Sequence, residues 1–172
     1  MSNSSPDERD QVDDSSTSPR VSVIICAYTL DRWELLNKSL QSVTQQDLQP
    51  IELILSIDHN HDMYVRCVAE LPKTLAHAPW KFSVIENRYD TRLGGARTSA
   101  AEIATGDILA FLDDDAYATD SWLRTLTAAY SDLGVVAVGG APVATYESPR
   151  PRWFPFECNW IFGCAYRGLP KR

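Results

Sequence analysis

With 172 residues, 44% hydrophobic content and a formal net charge of -7, the chain can bury one good core, and its length fits one domain or one domain plus part of a second. The acidic balance and the lack of a basic stripe exclude nucleic acid as the main partner, since phosphate-backbone binding is driven by lysine and arginine; an anionic ligand would need help from a metal. Cys26, Cys67, Cys158 and Cys164 form no Cys-x-x-Cys pair, no run reaches the ~18 apolar residues of a membrane span, and no signal peptide opens the chain, so a soluble cytoplasmic protein with buried thiols is expected.

Residues 1–20 are rich in Ser, Asp and Asn and cannot repay the entropy of ordering, which predicts a disordered leader. Val21 to Ala27 is a β-branched run of strand length, the first central strand. From Asp31, a plausible N-cap, Trp33, Leu36, Leu40 and Val43 recur at helical spacing. Ile51 to Ile57 reads as a second strand, ending in the polar cluster Asp58 to Asp62. A helix through Val65, Val68 and Leu71 should break at Pro72. Phe82 to Ile85 forms a third strand, and a small-residue helix from Ala96 to Ala104 should close on Gly106 as its C′ residue.

Ile108 to Leu112 shows no alternation and stops in Asp113, Asp114 and Asp115. Such a run reads as a parallel strand covered on both faces. Thr119 or Asp120 should cap a further helix with Trp122, Leu123, Leu126 and Tyr130 inward, and Val135 to Val138 reads as another strand. Alternating strands and helices imply an α/β fold, a doubly wound, mostly parallel sheet with flanking helices. After Gly140, prolines at 142, 149, 151, 155 and 170 and the aromatics Trp153, Phe154, Phe156, Trp160, Phe162 and Tyr166 change the character; no helix is expected there. The expected organisation is a leader (1–20), an α/β domain (21–146) and the truncated start of an acceptor-side region (147–172).

Ligands of open α/β sheets collect at the carboxyl ends of the strands. Three adjacent acids at such an end repel one another, a cost that a divalent cation removes, and an oxygen-only set suits Mg²⁺ or Mn²⁺, which could grip a diphosphate. The alternative is a solvated acidic loop. Tyr28 could stack a base or pack the rim, and Asp58 could accept from a base or ribose or cap the following helix.

Taken in order, these segments resemble the family 2 glycosyltransferases, whose nucleotide-sugar domain has the GT-A fold. Val21 to Tyr28 resembles the family's opening strand, with Thr29 where Asn is usual, and Trp33 to Gln46 its first helix. Glu52 to Asp58 resembles the second strand, whose terminal Asp contacts the base, although Asp58 to Asp62 departs from the usual Asp-Gly-Ser-x-Asp. Gly94, Ala96 and Arg97 resemble the Gly-x-Ala-Arg-Asn segment, with Thr98 in place of Asn, and Gly106 to Asp115 the metal-binding Asp-x-Asp segment.

The resemblance implies inverting transfer of a sugar from a nucleoside-diphosphate donor to a saccharide or lipid-linked acceptor, assisted by Mn²⁺ or Mg²⁺, at the inner face of the cell membrane with peripheral contact to it. It implies donor binding by Ala27, Tyr28, Arg32, Asp58, Gly94, Arg97, Asp113 and Asp114, and metal binding by Asp115 and Asp113. The family's general base, usually in a Glu-Asp pair, has no counterpart at Glu147 or Glu157 and is expected beyond Arg172. The rival readings are a non-catalytic nucleotide-binding or interaction module and an aspartate-dependent phosphohydrolase.

Overall fold

The computed structural model describes residues 19–146 and 148–164; nearly all of the expected leader, and Tyr166 with the residues after it, lie outside them. Four strands, β1 (Val21–Ala27), β2 (Glu52–Ile57), β3 (Lys81–Glu86) and β4 (Ile108–Asp113), form one parallel sheet in the order β3-β2-β1-β4. β1 lies inside the sheet and every one of its residues is buried, which is why its sequence shows no alternation. Its register sets Val23 between Leu53 and Ala110, and Cys26 between Ser56 and Asp113.

Helices cover both faces. Val21, Val23 and Ile25 pack with Leu36, Leu40 and Val43 of α1 (Trp33–Thr44), Met63, Cys67 and Leu71 of α2 (His61–Thr74), and Leu123 of α4 (Trp122–Ala128). Ile24, Cys26 and Ile54 face Ala96 and Ala100 of α3 (Arg92–Ala101). Each fully buried Leu or Ile contributes roughly 1.5 to 3 kcal/mol, so the first face carries most of the stabilisation. The small residues of α3 serve close approach instead: a Cβ on Gly95 would stand 2.8 Å from Thr91 and Tyr89.

Several expectations need correction. β4 is not covered on both faces: Leu109 and Phe111 are 37% and 43% exposed, because α3 lies over β1, β2 and β3. The strand ends the described sheet. Val135 to Val138 forms no strand, and Val136 is exposed. Helix α2 runs through Pro72 to Thr74 with Val65 and Val68 outward, its inner stripe being Met63, Cys67 and Leu71; Pro72 forfeits the one bond its own N–H would make, and the helix carries on past it, the Leu75 amide closing on the Leu71 carbonyl at 3.0 Å. Helix α3 starts four residues earlier than Ala96 and ends at Ala101.

Gly106 is not a helix cap. It lies against β1, where a Cβ would meet the Ser22 amide nitrogen at 2.6 Å and the Arg20 carbonyl at 2.9 Å. Asp31 caps nothing; Thr29 caps a short 3-10 turn, Leu30–Arg32, by accepting from the Asp31 amide. Ser121, rather than Thr119 or Asp120, precedes α4. In the proline-rich tail, where no helix was expected, a 3-10 helix spans Phe156–Phe162 directly after Pro155 and ends on Gly163 at φ 70, since a proline blocks only what precedes it.

Candidate functional site

Parallel strands place all their carboxyl ends on one rim. There the ends of β1, β2 and β4 and the side of α3 enclose a cavity of about 270 Å³ lined by Cys26, Ala27, Tyr28, Arg32, Asp58, Leu93, Arg97 and Asp113 to Asp115. Every residue expected at the site therefore lines it except Gly94, which sits inside α3 with open space around it. Cys26 and Leu93 were not anticipated. The Cys26 thiol is pushed up to about 12, chiefly by burial, so it is a neutral wall of the pocket.

The acids are sorted by where the strand ends: Asp113 is the last residue of β4, and Asp114 and Asp115 stand in the turn after it. The Asp113 carboxylate pairs with Arg97 of α3 at 3.0 Å. Asp114 is only 5% exposed. Arg32 reaches both Asp114, at 3.2 Å, and Asp115, at 3.1 Å. Burial pushes the Asp114 carboxyl above the usual aspartate range; Arg32 pulls it back, and Asp115 and Asp113 push it up further. Burial works against the charge on Arg32, but Asp114 and Asp115 outweigh it and raise its value. One Asp114 oxygen is buried without a hydrogen-bond partner.

These residues fit a divalent cation of a particular kind. Among the described residues no three His, Cys, Asp or Glu side chains converge as a metal cage. The side chains of Asp113 and Asp115 are 63% and 45% exposed and offer hard oxygen donors, which suits a cation that takes one or two carboxylates and completes its shell with phosphate oxygens and water. Asp114 is paired inward with Arg32, which also reaches Asp115.

At the end of β2, the Asp58 amide donates to the Ala27 carbonyl (2.8 Å), and its carboxylate accepts from Asn87 Nδ2 (2.9 Å). His59 adopts φ 49, the left-handed conformation that explains a glycine at this position in the motif it resembles. Its ring lies 2.9 Å from the Tyr89 carbonyl and 3.7 Å from Asp58. Asn60 caps α2 by accepting from the Met63 amide and donates to the Tyr28 carbonyl. The altered motif thus still closes its turn. Tyr28 is half-exposed, with the Arg32 guanidinium 5.5 Å from its ring centroid, a cation–π contact. Asn87, which sequence reasoning missed, had one signal: it follows β3 as Asp58 follows β2.

Fold and site together define a doubly wound α/β protein with a pocket at its strand ends, charged with both signs. Residues 22–168 match the family model described as glycosyl transferase family 2, and the chain belongs to that family. It is 33% identical over 154 residues to the glucosyl-dolichyl phosphate glucuronosyltransferase of Haloferax volcanii, covering 87% of this chain and 47% of that protein. It is 30% identical over 108 residues to the GalNAc(5)-diNAcBac-PP-undecaprenol beta-1,3-glucosyltransferase of Campylobacter jejuni, covering 63% and 33%. The chain thus spans about half the length, or less, of these curated relatives.

Among solved structures it is similar to the mannosyltransferase PcManGT from Pyrobaculum calidifontis in complex with GDP-Man and Mn2+ (TM-score 0.54, 26% identity, 72% of this chain, 35% of that one). It shares the fold of S. aureus TarS 1-349 (TM-score 0.51, 21% identity, 75% and 40%). No helix among the described residues is long and apolar enough to cross a membrane.

Proposed function

We propose that this chain is the donor-binding part of an inverting glycosyltransferase, which moves a sugar from a nucleoside-diphosphate donor to an acceptor hydroxyl. The observation that carries the reading is the single pocket in which an aromatic ring (Tyr28), a lone carboxylate (Asp58), an arginine on a helix (Arg97) and two outward acids (Asp113, Asp115) converge. Tyr28 and Asp58 suit the nucleoside, by stacking and by accepting from the base or ribose. Asp113 and Asp115 would hold Mn²⁺ or Mg²⁺, which when bound neutralises the charge that develops on the departing diphosphate. Arg97 and Arg32, paired with those acids, carry positive charge into the same pocket and would meet the same phosphates.

The acids at the pocket are Asp58 and Asp113 to Asp115; Asp58, Asp113 and Asp115 have binding duties in this reading, and Asp114 is paired with Arg32. The base that takes the acceptor proton is therefore supplied from outside this set. The names of the two curated relatives include a dolichyl phosphate and a PP-undecaprenol, which supports a lipid-linked acceptor for the whole protein, with peripheral contact at the inner face of the cell membrane. Calorimetry with UDP and GDP in Mn²⁺ and in EDTA tests the site. Diphosphate affinity should fall at least about tenfold in EDTA, the equivalent of ~1.4 kcal/mol; equal affinity in both would remove the metal bridge from the reading.

A further inference from the structure

We propose that Asn87 is a positioning residue that fixes the Asp58 carboxylate for the nucleoside. The inference rests on the reading above that Asp58 meets that end of the donor. Asn87 is 7% exposed, and its own amide extends the β2–β3 ladder by donating to the Ile57 carbonyl at 2.8 Å. A buried asparagine needs partners for two N–H groups and one carbonyl oxygen.

Here every one is taken. Nδ2 donates to Asp58 Oδ1 at 2.9 Å, and lies 3.2 Å from the Arg92 carbonyl and 3.4 Å from the Thr91 carbonyl. Oδ1 accepts from the Tyr89 amide at 2.9 Å and from Ser99 Oγ at 3.2 Å. This pattern forbids a flip of the amide, because exchanging the two ends would set Nδ2 against the Tyr89 N–H and Oδ1 against a carboxylate and two carbonyls. The donor is thus locked towards Asp58. One Asp58 oxygen is pinned and the other is left for a ligand in the cavity that Asp58 lines.

Asparagine is required on chemical grounds. An aspartate of the same shape would keep both acceptor contacts, lose both donors, and set a second carboxylate at hydrogen-bond distance from Asp58, where like charges cannot both be accommodated without cost. The test uses the full chain with Mn²⁺ and three probes, UDP, GDP and inorganic pyrophosphate, measured by calorimetry on Asn87→Asp, Asp58→Ala, the double variant and Ser99→Ala. Asn87→Asp should lower affinity for whichever nucleoside diphosphate the wild type binds by about tenfold or more, with pyrophosphate affinity changed less than about twofold. Asp58→Ala should show the same split.

The double variant should lose no more than Asp58→Ala alone, as coupled residues do. Ser99→Ala, which touches Asn87 but not Asp58, should stay within about threefold of wild type. Should Asn87→Asp fail to fold, Asn87→Ser, whose shorter side chain cannot span to Asp58, is read in the same way. An equal loss for pyrophosphate would reduce Asn87 to a structural role, and unchanged nucleotide affinity or additive losses would overturn the proposal alone. If the wild type binds Mn²⁺ and pyrophosphate but neither UDP nor GDP, the nucleoside reading of Asp58 falls, and this proposal with it.

Discussion

Removing the Glu52 carboxylate should loosen the strand that carries the acids, although Glu52 stands at the opposite end of the sheet. It is 3% exposed at the start of β2. It accepts from Ser22 Oγ at 2.7 Å, the Thr105 amide at 2.6 Å and Thr105 Oγ1 at 2.9 Å, tying β1, β2 and the turn before β4 together. Ser22 Oγ in turn accepts from the Gly106 amide at 2.9 Å. Burial works to raise the Glu52 carboxyl, but the hydrogen bonds from Thr105 and Ser22 prevail and hold it below the ordinary glutamate value.

Hydrogen bonds to a charged group are worth about 1.5 to 3 kcal/mol each. Water can relieve part of the loss at this edge, so Glu52→Ala should cost about 3 kcal/mol net, or roughly 6 to 12 °C in melting temperature for a domain of this size. The sign with pH follows from the depressed value: the charged Glu52 contributes its stability above the ordinary glutamate range, and loses it as pH falls through the lower folded value. Thermal unfolding followed by circular dichroism at about pH 7 and about pH 3 reads both effects. The gap between wild type and Glu52→Ala should narrow on acidification. A melting temperature unchanged at neutral pH, or a gap that is equal or wider in acid, would refute the reasoning.

Gly106→Ala should destabilise by about 1 to 3 kcal/mol, because besides Ser22 Oγ the new methyl meets the Ser22 amide nitrogen and the Arg20 carbonyl, backbone atoms that cannot swing aside; urea unfolding with an unchanged midpoint would contradict this. Cys26 and Cys67, whose thiols burial pushes up to about 12 and about 11, should resist iodoacetamide at neutral pH in the native protein while reacting fully in urea. Mass spectrometry showing rapid native alkylation of either would place it in a more open environment.

The order of elements, the parallel α/β class and most of the rim were legible along the chain, because they depend on local runs: Val21 to Ala27 and Glu52 to Ile57 are apolar enough to be buried strands whatever surrounds them, and parallel connection then sends Tyr28, Asp58 and Asp113 to one end. Family membership was legible for the same reason, since it rests on ordered local motifs. What one chain position cannot reveal is which neighbour comes across to meet it. The inward turn of Asp114 on Arg32, the capture of Asp113 by Arg97, the clamp of Asn87 on Asp58 and the contact of Gly106 with Ser22 join residues 16 to 84 positions apart. Coverage likewise belongs to the tertiary structure: Leu109 and Phe111 read as buried by composition, yet α3 spans β1 to β3 and leaves their face of β4 open. Hydrophobicity sets which residues gain by burial, and only the packing of helices on the sheet decides which of them obtain it.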